Sequence, residues 1–135
     1  MLKSWWPTPG SLMDRLSDIF KMRIDFMESL TEKFPESYPS LPIDLSEKEN
    51  QQLCRDMALR GVEEMFEAVQ HLKNWKPHRV TEIKEFNKEE FLEEIVDAFN
   101  YFFSLIILAG FDDDDLYKAY VKKDRIIHSR ISDDY

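Results

Sequence analysis

This chain of 135 residues has one cysteine, three glycines and three histidines. With Cys54 alone there is no disulfide framework and no thiolate metal site. Three glycines, and no Asn-Gly or Asp-Gly pair, leave no tight-hairpin signal, which argues for helices throughout. Cations are short too: 18 Lys and Arg against 27 Asp and Glu give a net charge of -9. General nucleic-acid binding rests on neutralising phosphates with basic side chains, so direct DNA or RNA binding is excluded. A small phosphorylated ligand is not, because a bound divalent cation reverses the local sign. The longest apolar run, Phe99 to Gly110, has 12 residues and contains Asn100 and Ser104. A membrane span needs roughly 20. The opening "MLKSWWPTPG" is too polar and proline-rich for a secretory leader. These absences point to a soluble cytoplasmic protein without membrane association.

What is present is ordinary globular material, 43% hydrophobic and 33% charged. That suits a single domain over residues 1–135 with a real core. An N-terminal arm covers residues 1–10. The lead Pro9-Gly10-Ser11 opens a first helix, in which Leu12, Leu16, Ile19, Phe20, Ile24, Met27 and Leu30 recur near helical spacing. Three prolines make residues 35–45 a loop. Ser-Glu-Lys-Glu from Ser46 reads as a capping box for a second helix running to about Trp75, just before Pro77. Asn87 caps a third helix over Lys88 to Ala109, with Gly110 at its C′ position. The run Asp112 to Asp115 opens a fourth, its charge complementing the helix dipole. It lacks the glycine and terminal glutamate of a calcium loop. The expected fold is all-α, a four- to five-helix bundle.

The second and third helices each carry two acids three residues apart, Glu64 with Glu67 and Glu94 with Asp97. That spacing puts each pair on one helix face, with Cβ atoms about 5–6 Å apart. Two such helices side by side aim four carboxylates at a common point. An all-oxygen donor set suits Mg²⁺, or Mn²⁺ in its place, better than zinc. A di-iron bundle wants Glu-x-x-His, and His71, His78 and His128 do not follow that pattern. The plain reading of such pairs is a solvated face, with Glu63 and Glu64 pairing Arg60. The second pair resists it, because Phe91, Ile95, Ala98, Phe99 and Phe102 crowd the same helix and an unpartnered buried carboxylate is costly. His71, on the face of Glu64 and Glu67, reads as a supporting or packing residue rather than a ligand.

The segments "VEEMFEAVQHLKNWK", "EEIVDAFNYFF" and "AGFDDDDLYKAY" resemble the MazG-like all-α nucleoside triphosphate pyrophosphatases. Within that superfamily the likeness is greatest to the dimeric dUTPases and the phage dCTPase-dUTPases. It covers about residues 56–135 and rests on the order of short motifs. These are Glu-x-x-Glu, then Lys73-Asn74-Trp75-Lys76, then Glu-x-x-Asp followed by Phe99, Tyr101 and Phe102. Tyr120, Lys123, Arg130 and Tyr135 stand in register with the family's tail. Asp124 and Ile127 replace its tail asparagines, Asp134-Tyr135 its Gly-Tyr ending, and "LSDIFKMRIDF" lacks the first-helix glutamine that helps read uracil. Phosphate chemistry therefore transfers better than base choice.

The resemblance implies hydrolysis of a deoxynucleoside triphosphate, dUTP first and dCTP next, to monophosphate and pyrophosphate. It implies that Glu64, Glu67, Glu94 and Asp97 hold Mg²⁺, and that Glu63 or Glu90 serves as the proton acceptor. Lys73, Lys76, Arg79, Lys123 and Arg130 are the candidate cations for the leaving group, Arg130 foremost for its bidentate grip. Trp75 is either a core or interface anchor or a stacking platform for the base, and Tyr135 either closes over the nucleotide or frays. Tyr117 and Tyr120 read as core residues. Families of this kind form homodimers or homotetramers, for which Trp5, Trp6, the first-helix methionines and Phe102–Phe103 are candidate interface residues. Two alternatives stand beside this reading: the same reaction on dGTP or a modified nucleotide, and a non-catalytic helical interaction module.

Overall fold

A computed structural model describes residues 14–82 and 85–133. Among them the fold is all-α, as expected, with four helices and no strand. They are α1 (Arg15–Lys33), α2 (Lys48–Val69), α3 (Lys88–Leu108) and α4 (Asp113–Asp133). No single helix is long and apolar enough to cross a membrane. The arm over residues 1–10, the Pro9-Gly10-Ser11 start and Tyr135 lie outside the described residues. The chain divides into two compact units, residues 1–42 with 106–135, and residues 43–105.

In the first unit α1 packs on α4. The buried apolar residues here are Phe20, Ile107 and Leu108, and Asp18 and Asp25 are buried with them. Full burial of a side chain such as Phe20 contributes about 1.5–3 kcal/mol. Helix α1 ends where Phe34 meets Pro35, since the residue before proline is disfavoured in the helical region; Phe34 has φ -129. Beyond it the proline-rich loop is tied back by Thr31, whose hydroxyl donates to the Pro39 carbonyl at 3.1 Å. Helix α4 buries no residue. Tyr117 and Tyr120, expected in the core, are exposed instead, because one neighbouring helix covers only one stripe of its surface.

The ends of α3 and α4 follow the sequence signals. Asn87 Oδ1 accepts the Glu90 N–H at 3.1 Å. Gly110, at φ 90, donates to Ile107 O and Phe111 donates to Ile106 O, the paired bonds of a Schellman turn. Asp112 Oδ1 accepts the Asp115 N–H at 2.8 Å while Asp115 Oδ2 accepts the Asp112 N–H at 3.0 Å. That reciprocal box makes the Asp run a helix start.

Both ends of α2 differ from expectation. Ser46 is not its cap: the Ser46 hydroxyl and N–H both donate to Asp44 Oδ1, at 2.7 and 2.9 Å. These two bonds hold the Asp44 carboxyl below its ordinary pKa. Glu47 takes the cap position instead, with extended backbone and no side-chain bond. At the far end α2 stops at Val69, short of Trp75. The N–H groups of Gln70, His71 and Leu72 turn to carbonyls three residues back, at 3.3, 3.1 and 2.9 Å. Such tightening satisfies the last carbonyls without continuing the helix. Lys73 and Lys76 therefore lie in the following loop and do not end a helix.

Candidate functional site

The second unit is built on α2 and α3, and two contacts fix how they meet. Gly61 on α2 lies against the Phe102 ring on α3, so close that a Cβ there would stand 2.8 Å from Phe102 Cε1. About ten residues on, His71 meets the other end of α3, 2.8 Å from Glu94 and with ring centroids 6.1 Å from Phe91. Rising number on α2 thus pairs with falling number on α3, and the helices run antiparallel. Glu64 and Glu67 on one side and Asp97 on the other fall between those contacts, and Glu94 forms the second of them. Ala68 and Ala98, both buried, are the small residues at this level.

The carboxylates are electrostatic neighbours. Glu64 has its pKa pushed above the ordinary carboxylate range, first by loss of surrounding water. Next come the charge of Glu67 and a hydrogen bond shared with it, then the charges of Asp97 and Glu94. Like charges brought together disfavour ionisation in this way. Glu64 and Glu94 are half-buried, whereas Glu67 and Asp97 are exposed. Glu94 Oε2 is buried and satisfies no hydrogen bond. Its 2.8 Å approach to His71 Nε2 is thus a close polar contact that does not form a hydrogen bond.

An all-oxygen set of acids brought near one another on two helices fits a hard divalent cation in its chemistry. It is not a finished cage: among the described residues no three His, Cys, Asp or Glu side chains converge closely enough to hold a metal ion. The arrangement is a patch of unbalanced negative charge across two helices.

The other candidates lie on several elements. Glu63 and Glu90 are exposed, on α2 and at the start of α3. Lys73, Trp75, Lys76 and Arg79 lie on the loop between α2 and α3. That loop is braced by Asn74 Oδ1, which accepts the Thr81 N–H at 2.9 Å. Trp75 is 68% exposed, which removes it from the core, and Lys76 Nζ sits 5.6 Å over its ring. Lys123 and Arg130 are exposed on α4, in the other unit. The contact of His71 with Glu94 was not legible in the sequence beyond its place on the Glu64 and Glu67 face.

The aromatic crowding on α3 is only partly core. Ala98 is buried, but Leu92, Val96 and Phe99 remain exposed, as do Leu59, Val62 and Phe66 on α2. Each set follows helical spacing and forms an apolar stripe.

A family model described as dUTPase matches residues 40–135. No curated protein and no solved structure matches the chain.

Proposed function

The chain belongs to this dUTPase family, and from that premise we propose that it is a metal-dependent pyrophosphohydrolase of deoxynucleoside triphosphates in the cytoplasm. dUTP is the first substrate and dCTP the next. The observation that carries this reading is that Glu67 on its own helix and Asp97 and Glu94 on the antiparallel one all bear on Glu64, whose carboxyl they and desolvation push above the ordinary range. Acids gathered on two facing helices repel a triphosphate unless a cation lies between. These four residues would hold Mg²⁺, with Mn²⁺ able to substitute; such an ion supplies charge neutralisation and acidifies water.

The rest falls to the chain's own groups. Water attacks a phosphorus of the α–β bridge, that phosphorus's bond to the bridging oxygen breaks, and the electron pair leaves on that oxygen, giving monophosphate and pyrophosphate. Glu63, exposed and next to Glu64 in the chain, takes the proton from that water. Lys73, Lys76 and Arg79 follow Glu67 on the loop beyond α2 and offer positive charge to the leaving group. Trp75, exposed beside Lys76, offers a face on which a base stacks. Incubation of the protein with each dNTP and Mg²⁺, followed by pyrophosphate assay, tests the reading. Release from dUTP first and dCTP second is expected. Release from none of the five, dUTP and the four ordinary dNTPs, overturns it, and fastest release from dGTP moves the assignment to that substrate.

We also propose that the protein works as a homodimer or homotetramer. The support is the pair of exposed apolar stripes on α2 and α3, since contiguous exposed apolar surface of this kind marks association. The double variant Val96→Asp, Phe99→Asp should sediment as a monomer where the wild type sediments as a dimer or tetramer. A monomeric wild type would refute the assembly.

A further inference from the structure

The contact between His71 and Glu94 has no part in the reading above, and it carries a further role. We propose that His71 is a positioning residue for Glu94: its imidazole holds Oε2, so that Oε1 is the oxygen presented to the cation. This rests on the proposed metal site. Four observations support it. Nε2 of His71 is 2.8 Å from Glu94 Oε2. That oxygen is buried and has no hydrogen-bond partner among the described residues, so the approach of His71 is the polar contact it has. The imidazole is itself held, half-buried, with its ring 6.1 Å from that of Phe91, which in turn lies 5.5 Å from Phe86. Finally, the tight turn over Gln70 to Leu72 sets the backbone of His71 at the end of α2.

The physical need is plain. A glutamate has three rotatable side-chain bonds, and a carboxylate free to swing loses affinity for a cation through the entropy of fixing it. Carboxylates that ligate metals are held by hydrogen-bonding partners, and loss of such a partner typically weakens metal affinity or activity about 10–100-fold. Histidine fits this place because it offers a compact donor on a flat ring that packs against an aromatic neighbour. Nε2 already lies within hydrogen-bond distance of Oε2, so alignment of the ring N–H on that oxygen is the one change the role requires.

Two variants separate donor from packing. His71→Phe keeps a flat ring against Phe91 but donates nothing, and His71→Gln keeps a donor without the ring. Mn²⁺ binding is measured by electron paramagnetic resonance on the nucleotide-free protein, with circular dichroism to confirm folding and Glu94→Gln as reference. His71→Phe should weaken Mn²⁺ binding about 10–100-fold, and His71→Gln should recover most of the loss. With dUTP as substrate, His71→Phe should also raise the Mg²⁺ concentration needed for half-maximal turnover, while kcat at saturating Mg²⁺ changes little.

If His71→Phe binds Mn²⁺ like the wild type while Glu94→Gln does not, the positioning role is wrong and the metal site stands. If His71→Gln is as impaired as His71→Phe, the ring acts by packing and the role is again wrong. If Glu94→Gln binds Mn²⁺ unchanged, the metal reading of Glu94 fails and takes this inference with it.

Discussion

Glu64→Gln is expected to reduce pyrophosphate release at least about 100-fold while leaving the helical circular dichroism unchanged. Loss of a group that merely supports a metal ligand costs up to about 100-fold, and removal of a ligand should cost no less. The same substitution should raise the melting temperature of the metal-free protein, because Glu64 is held against its neighbours. Its pKa is raised from the ordinary 4.5 by desolvation and by Glu67, Asp97 and Glu94. A carboxyl whose folded-state pKa is raised contributes stability below its unfolded pKa, and that contribution is lost as pH rises through the folded value. Above that window the ionised Glu64 opposes folding, whereas glutamine stays neutral. The variant's advantage in melting temperature should therefore be absent below about pH 4, grow as pH climbs past the ordinary carboxylate range, and then level off. Mg²⁺ should stabilise the wild type, by about 2.7 kcal/mol at a hundred times its Kd, and the variant far less. Wild-type turnover in Glu64→Gln would remove this residue from the site.

Gly61→Ala is expected to lower the melting temperature, against the usual direction for that change in a helix. Alanine in a helix interior is favoured over glycine by about 1 kcal/mol. Here the added methyl would lie 2.8 and 2.9 Å from Phe102 Cε1 and Cζ, inside van der Waals contact. Forcing atoms into a packed contact costs about 1–3 kcal/mol, so the net result should be a loss of up to about 2 kcal/mol. For a chain of this size that is several degrees. Because Gly61 sits one turn before Glu64, spreading the helices here should also separate the acidic pairs and reduce turnover. The double variant Gly61→Ala, Phe102→Leu should recover stability relative to the sum of the single changes. A melting temperature equal to or above wild type in Gly61→Ala would show that α2 and α3 do not approach this closely.

Helix ends set by local chemistry were readable in advance. Asn87, Gly110 and Asp112 each act within a few residues, through one side-chain bond or one backbone angle. Ser46 does not cap α2 because two cap-forming residues compete there, and Asp44 captures its hydroxyl. The end of α2 was misread because nothing in "HLKNWK" forbids a helix before Pro77. The turn over Gln70 to Leu72 ends it through bonds that any backbone can make. Tyr117 and Tyr120 were misplaced for another reason: apolar spacing says that a face wants cover, not that a neighbour arrives to supply it.

By itself the sequence determined that the protein is helical, that it is acidic, and that two pairs of acids occupy single helix faces. Each of those follows from short-range sterics and from spacing along one helix. Only the tertiary structure decided that α2 and α3 run antiparallel through the Gly61–Phe102 and His71–Glu94 contacts, so that Glu94 and Asp97 bear on Glu64. The missing side chain of one residue lets a ring from another helix approach, and an imidazole beyond the end of α2 meets an acid on α3. Such pairings depend on which surfaces pack, and a linear pattern of residue types holds no record of that choice.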